Sequence, residues 1–153
     1  MTHKIAVISA SWHTDIVGSA EHAFIQAMQE KGYARSQIDI IKVPGSLEIP
    51  LVGQQCLQEG YDLAVGIGFV VNGLIYRHEF VGQEVVRGIV EVSLKTGKPF
   101  LSVVLTPQAF QEHSPENIRF FADHMVTKGR EAAGAADMML SMQAARLKHK
   151  QAA

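Results

Sequence analysis

Apolar runs alternate along this chain with stretches in which apolar residues recur every three or four positions. Lys4–Ser9, KIAVIS, reads as a buried strand. Val17, Ala20, Phe24 and Met28 then keep helical spacing, behind a cap at Thr14 or Asp15 and ahead of a stop at Gly32. Gln37–Val43 is a second strand, broken by Pro44-Gly45-Ser46. Pro50 opens another helix, with Val52, Cys56 and Leu57 apolar and Gly60 at its end. Leu63–Val71 is the third strand, and Val81, Val85, Ile89 and Val92 mark a helix running from Val81 to about Thr96. Gly97-Lys98-Pro99 turns the chain into a fourth strand, Phe100–Leu105. Beyond Ser114-Pro115 the chain is helical, with a break expected near Lys128-Gly129.

Strands alternating with helices through short connections imply βαβ units. The expected fold is a three-layer α-β-α sandwich: a flavodoxin-like, open, parallel four-stranded sheet with helices on both faces. The chain, residues 1–153, reads as one domain without repeat or linker. In the last helix Ala132, Ala133, Ala135, Ala136, Met138, Met139 and Leu140 follow almost consecutively. A helix apolar around most of its circumference needs cover on two sides. The sheet supplies one cover, and a second copy of the chain is the expected other.

Composition narrows the function classes. Fourteen basic and fifteen acidic residues leave a net charge of −1, with no electrostatic footprint for nucleic acid or an anionic membrane. No apolar run has membrane-spanning length and no secretory signal opens the chain, so a soluble cytoplasmic protein is expected. Cys56 is the only cysteine, which excludes an internal disulfide and a thiolate cluster. Seven histidines include no H-x-x-x-H or H-E-x-x-H pair, so no metal site is expected. A Gly-x-Gly-x-x-Gly after the first strand, a phosphate loop of nucleoside triphosphatases and a Gly-x-Ser-x-Gly nucleophile elbow are likewise missing.

In an open parallel sheet, ligands bind outside the carboxyl ends of the strands. Three such ends are chemically distinctive. Trp12, the only tryptophan, can stack on a flat heterocycle. Gly45-Ser46 offers main-chain N–H groups and a hydroxyl near a helix start, and Glu48, flanked by Leu47 and Ile49, calls for a hydrogen-bonding partner. After the third strand, Asn72-Gly73 turns the chain toward Tyr76-Arg77-His78-Glu79, four polar or titratable groups in a row.

These segments, in this order, resemble the 6,7-dimethyl-8-ribityllumazine synthase family, from Lys4 to about Leu140. Val43–Pro50, VPGSLEIP, is similar to the family's V-P-G-[AS]-x-E-I-P, and Gly68–Val81, GFVVNGLIYRHEFV, to its G-x-V-I-[RK]-G-x-T-x-H-[FY]-[DE]-x-V. Lys128-Gly129 before Glu131-Ala132-Ala133 is similar to its N-K-G-x-E-A-A helix start. The run YRHEFV resembles the type II branch, which forms decamers. The resemblance implies two substrates, 5-amino-6-(D-ribitylamino)uracil and 3,4-dihydroxy-2-butanone 4-phosphate, with riboflavin or FMN as a further ligand. It implies that Trp12 stacks on the pyrimidine, that Ser46, Leu47 and Glu48 hold the ribityl chain, and that Phe69, Val70 and Val71 meet the uracil edge. Ser102 falls at a position contributed to the neighbouring subunit's site and usually aromatic. The family's catalytic histidine position holds Arg77 here, with His78 one residue later, and its phosphate-binding Gly-x-Thr is Gly73-Leu74-Ile75. Arg119 and His124 lie near the position of the family's phosphate-binding arginine.

The implied reaction needs no cofactor: an amine condenses with a ketone, phosphate leaves, and the ring closes with loss of water. Arg77 cannot act as a base, since its guanidinium stays protonated, but it can hold phosphate in a bidentate pair. His78, whose imidazole can both donate and accept a proton, is the candidate proton shuttle. The rival reading is a flavin- or lumazine-binding protein on the same scaffold with little turnover, and a third is a structural assembly protein. The resemblance also implies a homo-oligomer, a pentamer paired into a decamer.

Overall fold

The computed structural model describes residues 2–152. Four strands form one parallel sheet: β1 (Ile5–Ala10), β2 (Ile38–Val43), β3 (Leu63–Phe69) and β4 (Phe100–Leu105), in the order β2-β1-β3-β4. Helices α1 (Thr14–Glu30), α2 (Ile49–Gln58) and α3 (His78–Thr96) alternate with them, and α4 (Pro115–Ala152) closes the chain. The strand order reverses between β1 and β3, which makes that junction the switch point where open α/β sheets hold ligands. The three-layer flavodoxin-like sandwich expected from the sequence is the fold observed.

Side chains alternate across each strand and divide the core in two. Ile5, Val7, Leu63, Val65, Ile67 and Phe69 pack with α1 and α4. Ala6, Ile8, Ala64, Val43 and Phe100 pack with α2 and α3, where Val85, Ile89 and Val92 face the sheet. Cys56 of α2 is buried in this second layer, and burial pushes its thiol pKa up.

One charged cluster interrupts the first layer. Glu21 of α1 is buried, accepts a hydrogen bond from the Ser9 hydroxyl and pairs with the Lys42 ammonium. Ser9 and Lys42 are register partners on β1 and β2. A buried carboxylate is tolerated because both its partners are in place.

Beyond one-residue shifts at β1 and at the start of β2, four boundaries differ from the sequence expectation. α1 is capped by His13, without a side-chain hydrogen bond, and not by Thr14 or Asp15, which lie inside the helix. β3 ends at Phe69, two residues early, although Val70 N–H still donates to Leu105 O at 2.9 Å. α3 begins at His78 and not at Val81, because Arg77 in extended conformation already caps it. The break expected near Lys128-Gly129 is absent: α4 runs unbroken through both residues. Gly129 is there for space. A Cβ on it would stand 2.5 Å from Ala20 O and 3.1 Å from Phe24 N, so α1 and α4 cross backbone to backbone at this point. Further along the same interface the Tyr33 hydroxyl donates to Asp137 at 3.0 Å, and burial, with that carboxylate second, pushes the phenol up to about 12.

Ser114 caps α4 as expected, its hydroxyl accepting from Asn117 N–H at 3.2 Å. Ala132, Ala133, Ala136 and Leu140 are buried, whereas Ala135, Met138 and Met142 are exposed. The helix therefore has one covered and one open apolar side. Among the described residues no helix is long and apolar enough to cross a membrane.

The crossing yields a test. Alanine in place of a helical glycine normally gains about 1 kcal/mol, but overpacking against fixed backbone costs about 1–3 kcal/mol. Gly129→Ala is expected to lower the urea midpoint, while Gly18→Ala, with nothing within 4 Å of its Cβ position, raises it. A raised midpoint for Gly129→Ala would show that the two helices can part without cost.

Candidate functional site at the carboxyl ends of the strands

β1, β2 and β3 deliver the first group of candidate residues together. Trp12 follows β1 and is 69% exposed. Its indole lies against Gly45, where a Cβ would be 3.7 Å from Trp12 Nε1. Gly45 begins the turn after β2, and its N–H donates to Glu48 Oε2 at 2.8 Å, which gives Glu48 the partner its burial calls for. Ser11 ties the two strand ends by donating from its hydroxyl to Val43 O at 2.7 Å.

Ser46 sits down on β3 because Gly68 has no side chain. A Cβ there would overlap the Ser46 hydroxyl and reach Ser46 Cβ at 3.3 Å. The turn Ser46–Glu48 is thus held by a close approach at one end and by its own carboxylate at the other. Leu47, between them, is exposed.

The end of β3 is built differently from the expectation in one respect. Phe69 points into the α1/α4 layer, buried among His13, Phe110 and Phe121. What it offers a ligand is main chain, as do the buried Val70 and half-buried Val71 beside it.

The second group surrounds the start of α3. His78 is 7% exposed, with Nδ1 3.4 Å from Glu79 Oε2. It lines a cleft of about 510 Å³ with Gly82, Gln83, Val86, Thr106 and Gln108. Gly82 lets α3 close on the end of β4, since a Cβ there would stand 2.5 Å from Thr106 Cγ2. Arg77 is exposed, its guanidinium 5.8 Å from the Phe80 ring centroid. It lines a neighbouring cleft of about 630 Å³ with Asn72, Leu74, Ile75 and Tyr76, and His78 and Glu79 belong to both clefts.

The loop between β3 and α3 is unusual. Leu74 has φ 67°, a left-handed conformation held by Asn72 Oδ1, which accepts its N–H at 3.0 Å. Leu74 and Ile75 are 92% and 84% exposed. Ser102 is exposed on the edge strand β4 and lines a separate cleft with Lys128, Glu131 and Ala135, away from Trp12 but sharing Thr106 with the His78 cleft. Arg119 and His124 are exposed on α4 and line neither cleft at the start of α3. Among the described residues no group of three or more His, Cys, Asp or Glu side chains is placed to hold a metal ion.

Sequence reasoning passed over Thr106 and Gln108, which complete the His78 cleft. The rule that singled out the other three strand ends applies to the end of β4 as well. It also gave no role to His13, whose aromatic neighbours come from two distant segments.

Fold and strand ends together define a flavodoxin-like α/β protein whose distinctive side chains gather at the carboxyl edge of a parallel sheet. Residues 2–144 match the sequence profile of the 6,7-dimethyl-8-ribityllumazine synthase family, and the chain belongs to that family. It is 45% identical over 135 residues to a 6,7-dimethyl-8-ribityllumazine synthase of Rhodococcus erythropolis, covering 88% of this chain and 86% of that one. It is 47% identical over 131 residues to 6,7-dimethyl-8-ribityllumazine synthase 2 of Pseudomonas syringae pv. tomato, covering 85% and 76%. A protein of the same name from Rhodopseudomonas palustris is 39% identical over 143 residues, covering 92% and 77%.

Gly68→Ala is expected to lift the Ser46 turn while leaving the sheet intact. Overpacking of this kind costs about 1–3 kcal/mol locally, so exchange of the Gly45 amide hydrogen should quicken by about tenfold or more. Unchanged exchange at Gly45 would remove the Gly68–Ser46 contact from this role.

Proposed function

We infer that the chain catalyses condensation of 5-amino-6-(D-ribitylamino)uracil with 3,4-dihydroxy-2-butanone 4-phosphate to 6,7-dimethyl-8-ribityllumazine, a step of riboflavin biosynthesis. Family membership supports the reaction. The observation that carries the site is the Trp12 indole against Gly45, beside a Ser46–Glu48 turn pinned to β3.

In this reading the pyrimidine stacks on Trp12, and riboflavin or FMN, with a related ring system, takes the same face. Ser46, Leu47 and Glu48 hold the ribityl chain, and the main chain of Phe69, Val70 and Val71 meets the uracil edge. The uracil's amine attacks the ketone, and water leaves to give an imine. Phosphate is eliminated, and the second amine closes the ring with loss of another water. Holding two substrates in register supplies up to about 7–11 kcal/mol of such a barrier. A positioned proton carrier adds roughly 10²–10⁴-fold.

Arg77 and His78 divide the remaining work. Their surroundings differ: Arg77, extended at the cap of α3, is exposed beside Phe80, whereas His78, the first residue of the helix, is buried and shares a cleft with Thr106 and Gln108. Arg77 holds and neutralises the departing phosphate, and His78 carries protons. Steady-state formation of the lumazine from both substrates tests the reading. Riboflavin binding without turnover would overturn it. Arg77→Lys keeps the charge and loses the planar fork. It is expected to raise KM for the butanone phosphate by about tenfold and lower kcat, with KM for the uracil little changed. An unaltered KM for the phosphate substrate would remove Arg77 from this role.

The chain acts as a single cytoplasmic domain of the type II branch, in pentamers paired into decamers. Ser102 then faces a neighbouring subunit's site, and the open side of α4 is covered by another copy. The exposed Met138 tests this cover. Met138→Glu is expected to reduce the mass seen by light scattering while the circular dichroism stays native. A native mass in that variant would place the interface elsewhere.

A further inference from the structure

β1 leaves the sheet at Ala10, and α1 begins at Thr14. The chain reverses in this space with His13 in the left-handed region, φ 52° and ψ 53°. A residue with a Cβ costs about 1–2 kcal/mol in that conformation. The only other non-glycine residue with positive φ among those described, Leu74, has its N–H held by Asn72. His13 caps α1 without a side-chain hydrogen bond.

Its ring is held by aromatic edges. Phe69, at the end of β3, lies 5.6 Å away at 81°, and Phe110, in the segment after β4, lies 5.2 Å away at 83°. Those two rings meet each other at 5.0 Å and 87°, and Phe121 of α4 packs on both, at 5.3 and 5.7 Å. Each such pair is worth about 0.5–1.5 kcal/mol beyond its area. The His13 carbonyl is fixed too, accepting from Ile16 N–H at 3.0 Å and Val17 N–H at 2.9 Å. On the other side of Trp12, Ser11 is tied to Val43 O. Trp12 therefore stands between two anchored residues while its own side chain lies mostly in solvent.

We propose that His13 is a positioning residue: its left-handed turn, locked by the Phe69–Phe110–Phe121 cluster, fixes the direction in which Trp12 presents its ring. An exposed aromatic on a fixed backbone binds a flat ligand with less ordering cost than a mobile one. The effect on substrate rests on the stacking role given to Trp12 above, but the ordering of Trp12 does not.

The experiment separates the two. Trp12 is the only tryptophan, so time-resolved fluorescence anisotropy of the intact protein reads its motion without ligand. His13→Ala removes the ring and is expected to add a large-amplitude nanosecond component to the decay. KM for the uracil substrate should rise about two- to tenfold, the range a lost aromatic stack spans. The kcat and the KM for the butanone phosphate should stay within about twofold. His13→Phe, which keeps the aromatic edges, should restore both readouts. Should His13→Ala not fold, Phe110→Leu loosens the same clamp from outside the turn and is read in the same way. An unchanged anisotropy decay in a folded variant, even with a lowered Tm, would overturn the proposal and leave His13 a packing role. A loosened Trp12 with an unchanged KM for the uracil would uphold His13 as the anchor and count against the stack itself.

Discussion

The site depends on how closely the second helical layer can approach β3. On that face β3 presents Ala64, Gly66 and Gly68, with hardly any side chain between the sheet and what lies above it. Ile49 fills the space over Gly66, and Ser46 that over Gly68. The turn after β2 is thereby drawn across β1 to the neighbouring strand. Larger residues on this strip would raise the Ser46–Glu48 turn from the sheet and carry Gly45 away from Trp12. The same economy recurs on α3, where Gly82 admits Thr106 and brings His78 to the end of β4. Two separate groups of side chains are placed by the absence of others beside them.

The opposite layer is built for rigidity. α1 and α4 cross at Gly129 with their backbones in contact, and the buried Glu21 binds α1 to both β1 and β2 through Ser9 and Lys42. Breaking such a cluster strands a charge in the core, which costs several kcal/mol. This firm layer carries the aromatic cluster around His13, whereas the loop at Leu74–Tyr76 and the outer side of α4 are open. The protomer is thus closed where it supports Trp12 and open at that loop and along the outer side of α4.

Much of this was legible in the sequence. The strands are continuous apolar runs bounded by glycine and proline, so the sheet and its layers followed directly. The strand-end rule led to Trp12, Ser46, Glu48, Arg77 and His78. What escaped depends on contacts between distant segments. Gly129 reads locally as a helix breaker, and only the neighbouring helix explains why the helix needs a glycine there. His13, Phe69, Phe110 and Phe121 have no common periodicity, and they meet only because β3 lies between β1 and β4. The side of β3 to which Phe69 turns was likewise set by alternation and did not follow from its place in a motif.

Cys56 gives the molecule a reporter of its own integrity. Its thiol is buried in the layer that carries the Ser46 turn, and burial holds it in the protonated, unreactive form. With no other cysteine in the chain, reaction with a thiol reagent has one source. The rate of that reaction measures how often α2 parts from the sheet, and so how often the support of the Ser46 turn is lost. Excursions too rare for spectroscopy to detect become countable as a chemical rate.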